Sequence, residues 1–272
     1  MNRIQVLTDE YQDHPWLPGW HTKFSNIEFY DEWQQVSHNE IVVCGADLAQ
    51  LHVKRWLNQG QPAVYVGRGY CGNHIFKKRK WWRASVNGWA NTILKPAPYP
   101  RWPLLNLPYH DWKVQEVKRV LIAPSLLSTV AWEGINSRPW AENLLDKFPG
   151  AEVKIRFKDQ TPKLRYATLW DDLDWCDLVV TQSSAISCEA FWYGKKVISL
   201  QPCPTWAAGQ STLDNWQDPK EPAYREAWHE HLAWSQYSVD EWTSGEAFDL
   251  MQQYLGPIKS YDPQHRYNLL IR

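Results

Sequence analysis

Apolar residues along this chain gather in short runs separated by longer stretches in which they recur at helical spacing. In the first half, Ile4–Leu7, Ile41–Cys44 and Pro62–Val66 read as strands, and a helix over 47–58, ended by Gly60, joins the last two. In the second half the pattern predicts strands at Arg119–Ala123, Glu152–Phe157, Leu178–Val180 and Val197–Leu200. Helices are expected from Ser137 to near Gly150, over 166–175, and between Ser184 and Gly194, with Ser137 a candidate N-cap ahead of Pro139. Two more, over about 221–235 and 238–255, follow a loop rich in Pro and Trp, and one of them is expected to brace the first domain. Strand and helix in alternation predict an α/β architecture with parallel sheets. The stretch Lys95-Pro-Ala-Pro-Tyr-Pro-Arg-Trp-Pro cannot be a regular helix, and it puts a domain boundary within 95–115. The expected domains are therefore 1–110 and 111–272.

Composition narrows the class. With 272 residues and 44% hydrophobic content the chain can bury a core, which excludes wholesale disorder. No apolar run approaches the length that spans a bilayer, and Met-Asn-Arg-Ile-Gln-Val-Leu reads as a strand rather than a signal peptide. A cytoplasmic protein without stable membrane insertion is expected. The five cysteines, Cys44, Cys71, Cys176, Cys188 and Cys203, are odd in number and lack paired metal-ligand spacing, so reduced thiols and no metal site are expected. No feature sets an oligomeric state.

Charge changes the picture. Between Asp47 and Asp111 there is no acidic residue, yet the window holds ten bases: Lys54, Arg55, Arg68, Lys77, Lys78, Arg79, Lys80, Arg83, Lys95 and Arg101. A total of 29 bases and 30 acids therefore hides a basic segment, which points to a polyanionic partner. Its densest part, Phe76-Lys-Lys-Arg-Lys-Trp-Trp-Arg, interleaves charge with aromatics, as nucleic-acid-binding segments do. Arg68, His74, Lys77, Lys78, Arg79, Lys80, Trp81 and Arg83 are the candidate acceptor-binding residues; a solvated basic loop over 73–83 is the competing reading. Gly67-Arg-Gly-Tyr-Cys-Gly has the spacing of a dinucleotide-binding turn, but no clean helix follows it and no acid appears until Asp111.

The densest chemistry lies in residues 176–200. A buried strand runs into Ser183-Ser184, a helix carrying Glu189 follows, Gly194 stops it, and Lys195-Lys196-Val197 opens another strand. Small hydroxyls and free N–H groups at a helix start suit an anion, and a carboxylate farther along suits the paired hydroxyls of a ribose. The competing reading is plain capping, with Ser184 as N-cap and Glu189 on a wet helix face. The block resembles the nucleotide-sugar half of GT-B glycosyltransferases, in which a serine-rich turn, a Glu and a Gly-Lys-x-Val ending recur. The likeness covers roughly residues 118–200 and implies two Rossmann-like domains facing a cleft, a compact GT-B architecture.

The resemblance further implies that the second half grips a nucleotide-sugar, a UDP-sugar by expectation, without metal or other cofactor. Ser183 and Ser184 would hold phosphate oxygens, Glu189 the ribose, and Ser125 the other donor-facing loop. Arg156 and Lys158 stand on and after a strand where such enzymes carry a His-Pro pair, absent here, and would meet the diphosphate. Asp47, between strand and helix in the first half, is the candidate catalytic base and equally a candidate N-cap. With the basic half on the acceptor side, the sequence favours transfer to 5-hydroxymethylpyrimidine in double-stranded DNA, as in phage DNA modification. An anionic cell-surface polysaccharide acceptor and a non-catalytic nucleic-acid-binding protein are the alternatives.

Replacing Lys77, Lys78, Arg79 and Lys80 together with Ser is expected to weaken polyanion binding and flatten its salt dependence. For a duplex contacting four to six phosphates the wild-type log–log slope is about −4 to −5. A binding titration across salt concentrations reads this, and an unchanged slope assigns the segment another role.

Overall fold

The computed structural model describes residues 4–7, 19–20, 27–30, 41–44, 63–72, 81–86, 100–113, 115–125, 136–157, 169–201, 203–206, 208–219, 221 and 225–253. The chain divides into two compact units, residues 1–101 with 231–266 and residues 102–230 with 267–272.

The described strands of the first unit are β1 (Ile4–Leu7), β2 (Ile27–Tyr30), β3 (Ile41–Cys44), β4 (Ala63–Arg68), β5 (Trp81–Val86) and β10 (Gln236–Ser238). They form one sheet in the order β10-β5-β4-β3-β1-β2. Strands β1 to β4 run parallel, with Ile4 beside Ile27 and Ile41, while β5 is antiparallel to β4 and to β10. The sheet is thus mixed rather than parallel, and three of its strands, β2, β5 and β10, occupy stretches that the sequence pattern leaves unassigned, as loop or at the junction of two helices. In β5 the period-two pattern of Trp82, Ala84 and Val86 starts directly behind a basic run that hides it. All three are buried, packed with Val64, Val66, Tyr237, Trp242 and Phe248 in one core.

The returning segment that completes this unit carries α5 (Val239–Thr243) and α6 (Glu246–Gln252) after β10. A single helix over 238–255 is therefore replaced by two short ones, and the turn between them has Gly245 at φ 80°. Ser238 and Glu241 form a reciprocal capping box at the start of α5.

Arg101 joins the two segments of the first unit. It is 2% exposed; its guanidinium meets Glu241 at 2.7 Å and donates to the carbonyls of Ala233 and Gln236. The rings of Tyr237 and Trp234 lie 4.5 and 5.3 Å from its guanidinium carbon. Burial alone would raise the Glu241 carboxyl, but hydrogen bonds and charge from Arg101, with the Ser238 amide, hold it below its ordinary value.

In the second unit β6 (Arg119–Ala123), β7 (Glu152–Ile155), β8 (Leu178–Thr181) and β9 (Lys196–Ser199) form a parallel sheet in the order β7-β6-β8-β9. All four strands lie where the sequence places them, to within two residues at either end. Strands β8 and β9 are buried throughout, the signature of a parallel strand covered on both faces, whereas β7 alternates exposed and half-buried positions as an edge strand does. Val120, Ile122, Leu178, Val180 and Ile198 pack with Ala141, Phe148 and Trp216 on one side.

Helix α1 (Ser137–Glu142) starts on Asn136, whose side chain accepts from the Arg138 amide, rather than on Ser137. It stops at Glu142, short of Gly150, and a 3-10 turn at Leu145–Lys147 follows. Next come α2 (Leu169–Trp175), α3 (Ile186–Trp192) and α4 (Arg225–Ala233).

Arg101→Ala is expected to cost about 3 kcal/mol or more, because it leaves Glu241 without its partner beneath the returning segment. Urea unfolding of the variant against wild type measures this, and a loss below ~1 kcal/mol would mean that the two segments are held together otherwise.

Candidate functional site

The sheet order of the second unit fixes where a ligand would lie. The chain leaves β6 toward β7 on one side, then returns to place β8 on the other, so the carboxyl ends of β6 and β8 flank a topological switch point. In open α/β sheets ligands bind in the crevice outside such ends. The carboxyl end of β6 leads to Ser125 and that of β8 to Gln182-Ser183-Ser184, so residues that the sequence singled out converge there.

These residues form one hydrogen-bonded cluster. Ser125 and Ser183 share a hydrogen bond between their hydroxyls at 3.1 Å, and the Ser183 amide donates to Ser125 Oγ at 3.1 Å. Ser137, at the start of α1, donates its hydroxyl to the Ser125 carbonyl at 2.9 Å. Thr181 Oγ1 donates to the Ala123 carbonyl at 2.6 Å and accepts from the Ser184 amide at 3.2 Å. Gln182, absent from the sequence-based candidates, sits in the middle. Its Oε1 accepts from the Ser125 amide at 3.2 Å and lies 3.4 Å from the Ser137 hydroxyl, whereas its Nε2, on a side chain with no exposure, has no partner among the described residues. A buried amide donor without an acceptor costs about 1–3 kcal/mol.

The geometry corrects the expected phosphate contacts. The amides of Ser183 and Ser184 are engaged within the cluster, so they are not the open donors of the helix start. Nor is Ser184 the N-cap of α3: that position falls on Ala185, and Ser184 instead offers its carbonyl to the Ser187 hydroxyl at 2.8 Å. Glu189 is 6% exposed, so the wet-face alternative fails as well. Arg156, 9% exposed, is ion-paired with Asp172 of α2, which also pairs with Lys154. Asp172 therefore already neutralises a charge expected on a diphosphate. Lys158 and Asp47 lie outside the described residues.

Both ends of the β6–β8 pair are pinned by side chains. At the carboxyl end this is the Thr181 bond. At the amino end Asp177 accepts from the amides of Lys118 and Arg119 at 3.0 and 2.9 Å and from Gln115 Nε2 at 2.9 Å. Partial burial works to raise the Asp177 carboxyl, but these donors and Arg119 outweigh it and hold it below its ordinary value.

Helix α3 ends where the sequence predicts. Gly194 has φ 78°, its amide donates to Phe191 O at 3.2 Å and the Lys195 amide to Ala190 O at 2.9 Å, which together make a Schellman turn. Arg225 of α4 caps the same end with hydrogen bonds to the carbonyls of Phe191 and Trp192. The following lysines are buried rather than substrate-facing: Lys195 Nζ donates to Cys176 O and Lys196 Nζ to Gln115 O, at 2.8 and 2.9 Å.

Of the expected acceptor residues in the first unit, Arg68 is exposed at the end of β4. Arg83 is half-buried, 5.6 and 5.2 Å from the ring centres of Tyr65 and Tyr70, and Trp81 is 5% exposed. Trp81 is thus a core residue and no stacking platform. His74, Lys77, Lys78, Arg79 and Lys80 lie outside the described residues.

No protein-family model matches the chain, and no curated protein matches it. Solved structures do. The KpsC beta Kdo 2,7 transferase of Thermosulfurimonas dismutans superposes with a TM-score of 0.53 at 12% identity, covering 93% of this chain and 99% of its own. The chain has a glycosyltransferase-like fold. The KpsC beta Kdo 2,4 transferase of the same organism matches at a TM-score of 0.46 and 15% identity, over 93% of this chain and 98% of its own.

Gly194→Ala is expected to destabilise the chain by at least ~2 kcal/mol. The left-handed conformation alone costs a Cβ about 1–2 kcal/mol, and that Cβ would stand 2.0 Å from the Asp111 carbonyl. Thermal unfolding checks this; a midpoint within a degree of wild type would mean that the turn has another conformation.

Proposed function

We propose that the chain is a nucleotide-sugar-dependent glycosyltransferase of compact GT-B type whose acceptor is an anionic glycan. One observation carries this reading: the serine cluster at the β6–β8 switch point, in a chain whose fold matches a sugar transferase over nearly its whole length. In this reading Ser125 and Ser183 offer hydroxyls to the donor phosphate, and Glu189, enclosed on α3, receives the ribose. The acceptor hydroxyl oxygen attacks the anomeric carbon and its proton passes to a base. The bond from that carbon to the phosphate oxygen breaks, and the electron pair leaves with the nucleotide. Asp47, three residues past the end of β3, is the residue we assign as base, and transfer needs no metal.

Two observations favour a glycan over DNA as the acceptor. Kdo is an acidic sugar, and a transferase of Kdo shares the fold. Trp81 and Trp82 are 5% and 2% exposed, so these two aromatics belong to the core and offer no face on which a base could stack.

A thermal-shift panel with UDP, GDP and CMP, followed by an acceptor assay on acidic oligosaccharides and duplex DNA, tests this. A nucleotide at a hundred times its Kd stabilises by about 2.7 kcal/mol. Glu189→Ala is expected to stay folded, lose that shift and raise the donor KM at least tenfold. Wild-type kinetics in the variant would remove Glu189 from the site, and product on DNA alone would overturn the glycan acceptor.

A further inference from the structure

The cluster contains one polar group that its own hydrogen bonds do not explain. Gln182 is fully enclosed at the carboxyl end of β8, and its carboxamide is held from one side only: the Ser125 amide donates to Oε1 at 3.2 Å, with the Ser137 hydroxyl at 3.4 Å. Chemistry fixes which end is which. A backbone N–H can only donate, so the atom facing it must be the carbonyl oxygen, and the other must be the NH2 group. Rotating the amide would set NH2 against N–H. The donor end therefore cannot turn back to satisfy itself, and no described residue accepts from it.

The surroundings select what can. The neighbouring side chains are neutral hydroxyls, Ser125, Ser137 and Ser183, and each already bonds within the cluster. The nearby cation, Arg156, is bound to Asp172. No described residue supplies an acceptor for Nε2, and the crevice at a switch point is where an open α/β sheet takes its ligand. A donor fixed at its far end and lacking an acceptor matches a group that has only lone pairs to offer, such as a phosphate oxygen.

We infer that Gln182 binds the nucleotide-sugar directly, its Nε2 donating to a phosphate oxygen while Ser125 and Ser137 lock the carboxamide. The inference rests on the nucleotide-sugar reading above and adds the residue that orients the phosphate. The carboxamide accepts from the Ser125 amide at one end and presents an N–H at the other, which glycine or alanine at this position cannot do.

Gln182→Glu is the informative variant. It keeps an oxygen for Ser125 and Ser137 and replaces the donor with a carboxylate oxygen, which repels phosphate. Binding of UDP, GDP and CMP is measured by calorimetry from pH 8.5 to 5.5 as the ratio of variant to wild-type affinity. At pH 8.5 the ratio is expected to fall roughly 10- to 100-fold, the loss of one hydrogen bond to a charged group. Burial raises the pKa of the introduced carboxyl, so lowering the pH protonates it, returns an O–H donor, and brings the ratio back toward one. A ratio near one at every pH overturns the inference, and so does a ratio that stays low at every pH, which marks a structural role alone. If Q182E does not fold, the side-chain amide resonances of Gln182 in the wild-type chain decide: they shift during nucleotide titration when the donor is engaged, and unmoved resonances overturn the inference. Wild-type protein that binds none of the three nucleotides removes the nucleotide-sugar reading together with this one, whereas binding with an unmoved ratio removes this one alone.

Discussion

The pairing of β6 with β8 is the constraint on which the second unit depends. The two strands are neighbours in the sheet but not in sequence, because β7 is inserted between them along the chain and pairs on the far side of β6. Bringing them together costs loop-closure entropy before any ladder bond forms. Specific side chains therefore hold the register at both ends. Asp177 gathers the amides of Lys118 and Arg119 where β6 begins, and Thr181 reaches the Ala123 carbonyl where both strands end. With Ala123 beside Thr181, Ser125 and Ser183 fall at matching positions, two residues beyond each strand. A slip of one residue would separate their hydroxyls, and the crevice would lose its lining.

A second regularity follows from how buried charge is handled. Lys195, Lys196, Arg225 and Arg101 all end on backbone carbonyls, and Asp177 ends on backbone amides. Such bonds fix the chain path and use up the charge in doing so. Burial lowers the Lys195 pKa and pushes the Cys176 thiol up to about 12, so that thiol stays protonated and takes no nucleophilic part. The described side chains that meet at the ends of β6 and β8 are hydroxyls and one carboxamide.

The sheet of the second unit was legible because β6, β8 and β9 centre on continuous apolar runs, as burial on both faces requires, and β7 alternates as an edge strand does. The first unit was less so. Strand β5 follows directly on four bases, and β10 is three residues long between two helices, too short for any periodicity to register. The sequence singled out Ser125 and Ser183, which the structure joins in one cluster, but misjudged which groups there remain open. Spacing can say that Ser183 and Ser184 stand at a helix start; it cannot say that Ser125 and Thr181, from other elements, already accept from their amides. Gln182 escaped attention for the same reason. A glutamine after an apolar strand is unremarkable until the serine holding one end of its amide is known, and that serine lies 57 positions earlier.

The acid-free window shows why counting charges along a chain overstates a surface. Arg101 belongs to it by sequence, yet it is 2% exposed and closes the first unit from within, paired to Glu241 of the returning segment. Arg83 lies beside two tyrosine rings, and Trp81 and Trp82 are core residues of β5. A base in such a window can find its acid elsewhere in the chain, as Arg101 finds Glu241, with no reference to an external polyanion. Among the described residues of the window, Arg68 is exposed, whereas Trp81 and Trp82 present no aromatic face. Charge alone attracts any polyanion and stacks on no base, so it does not by itself discriminate between acceptors.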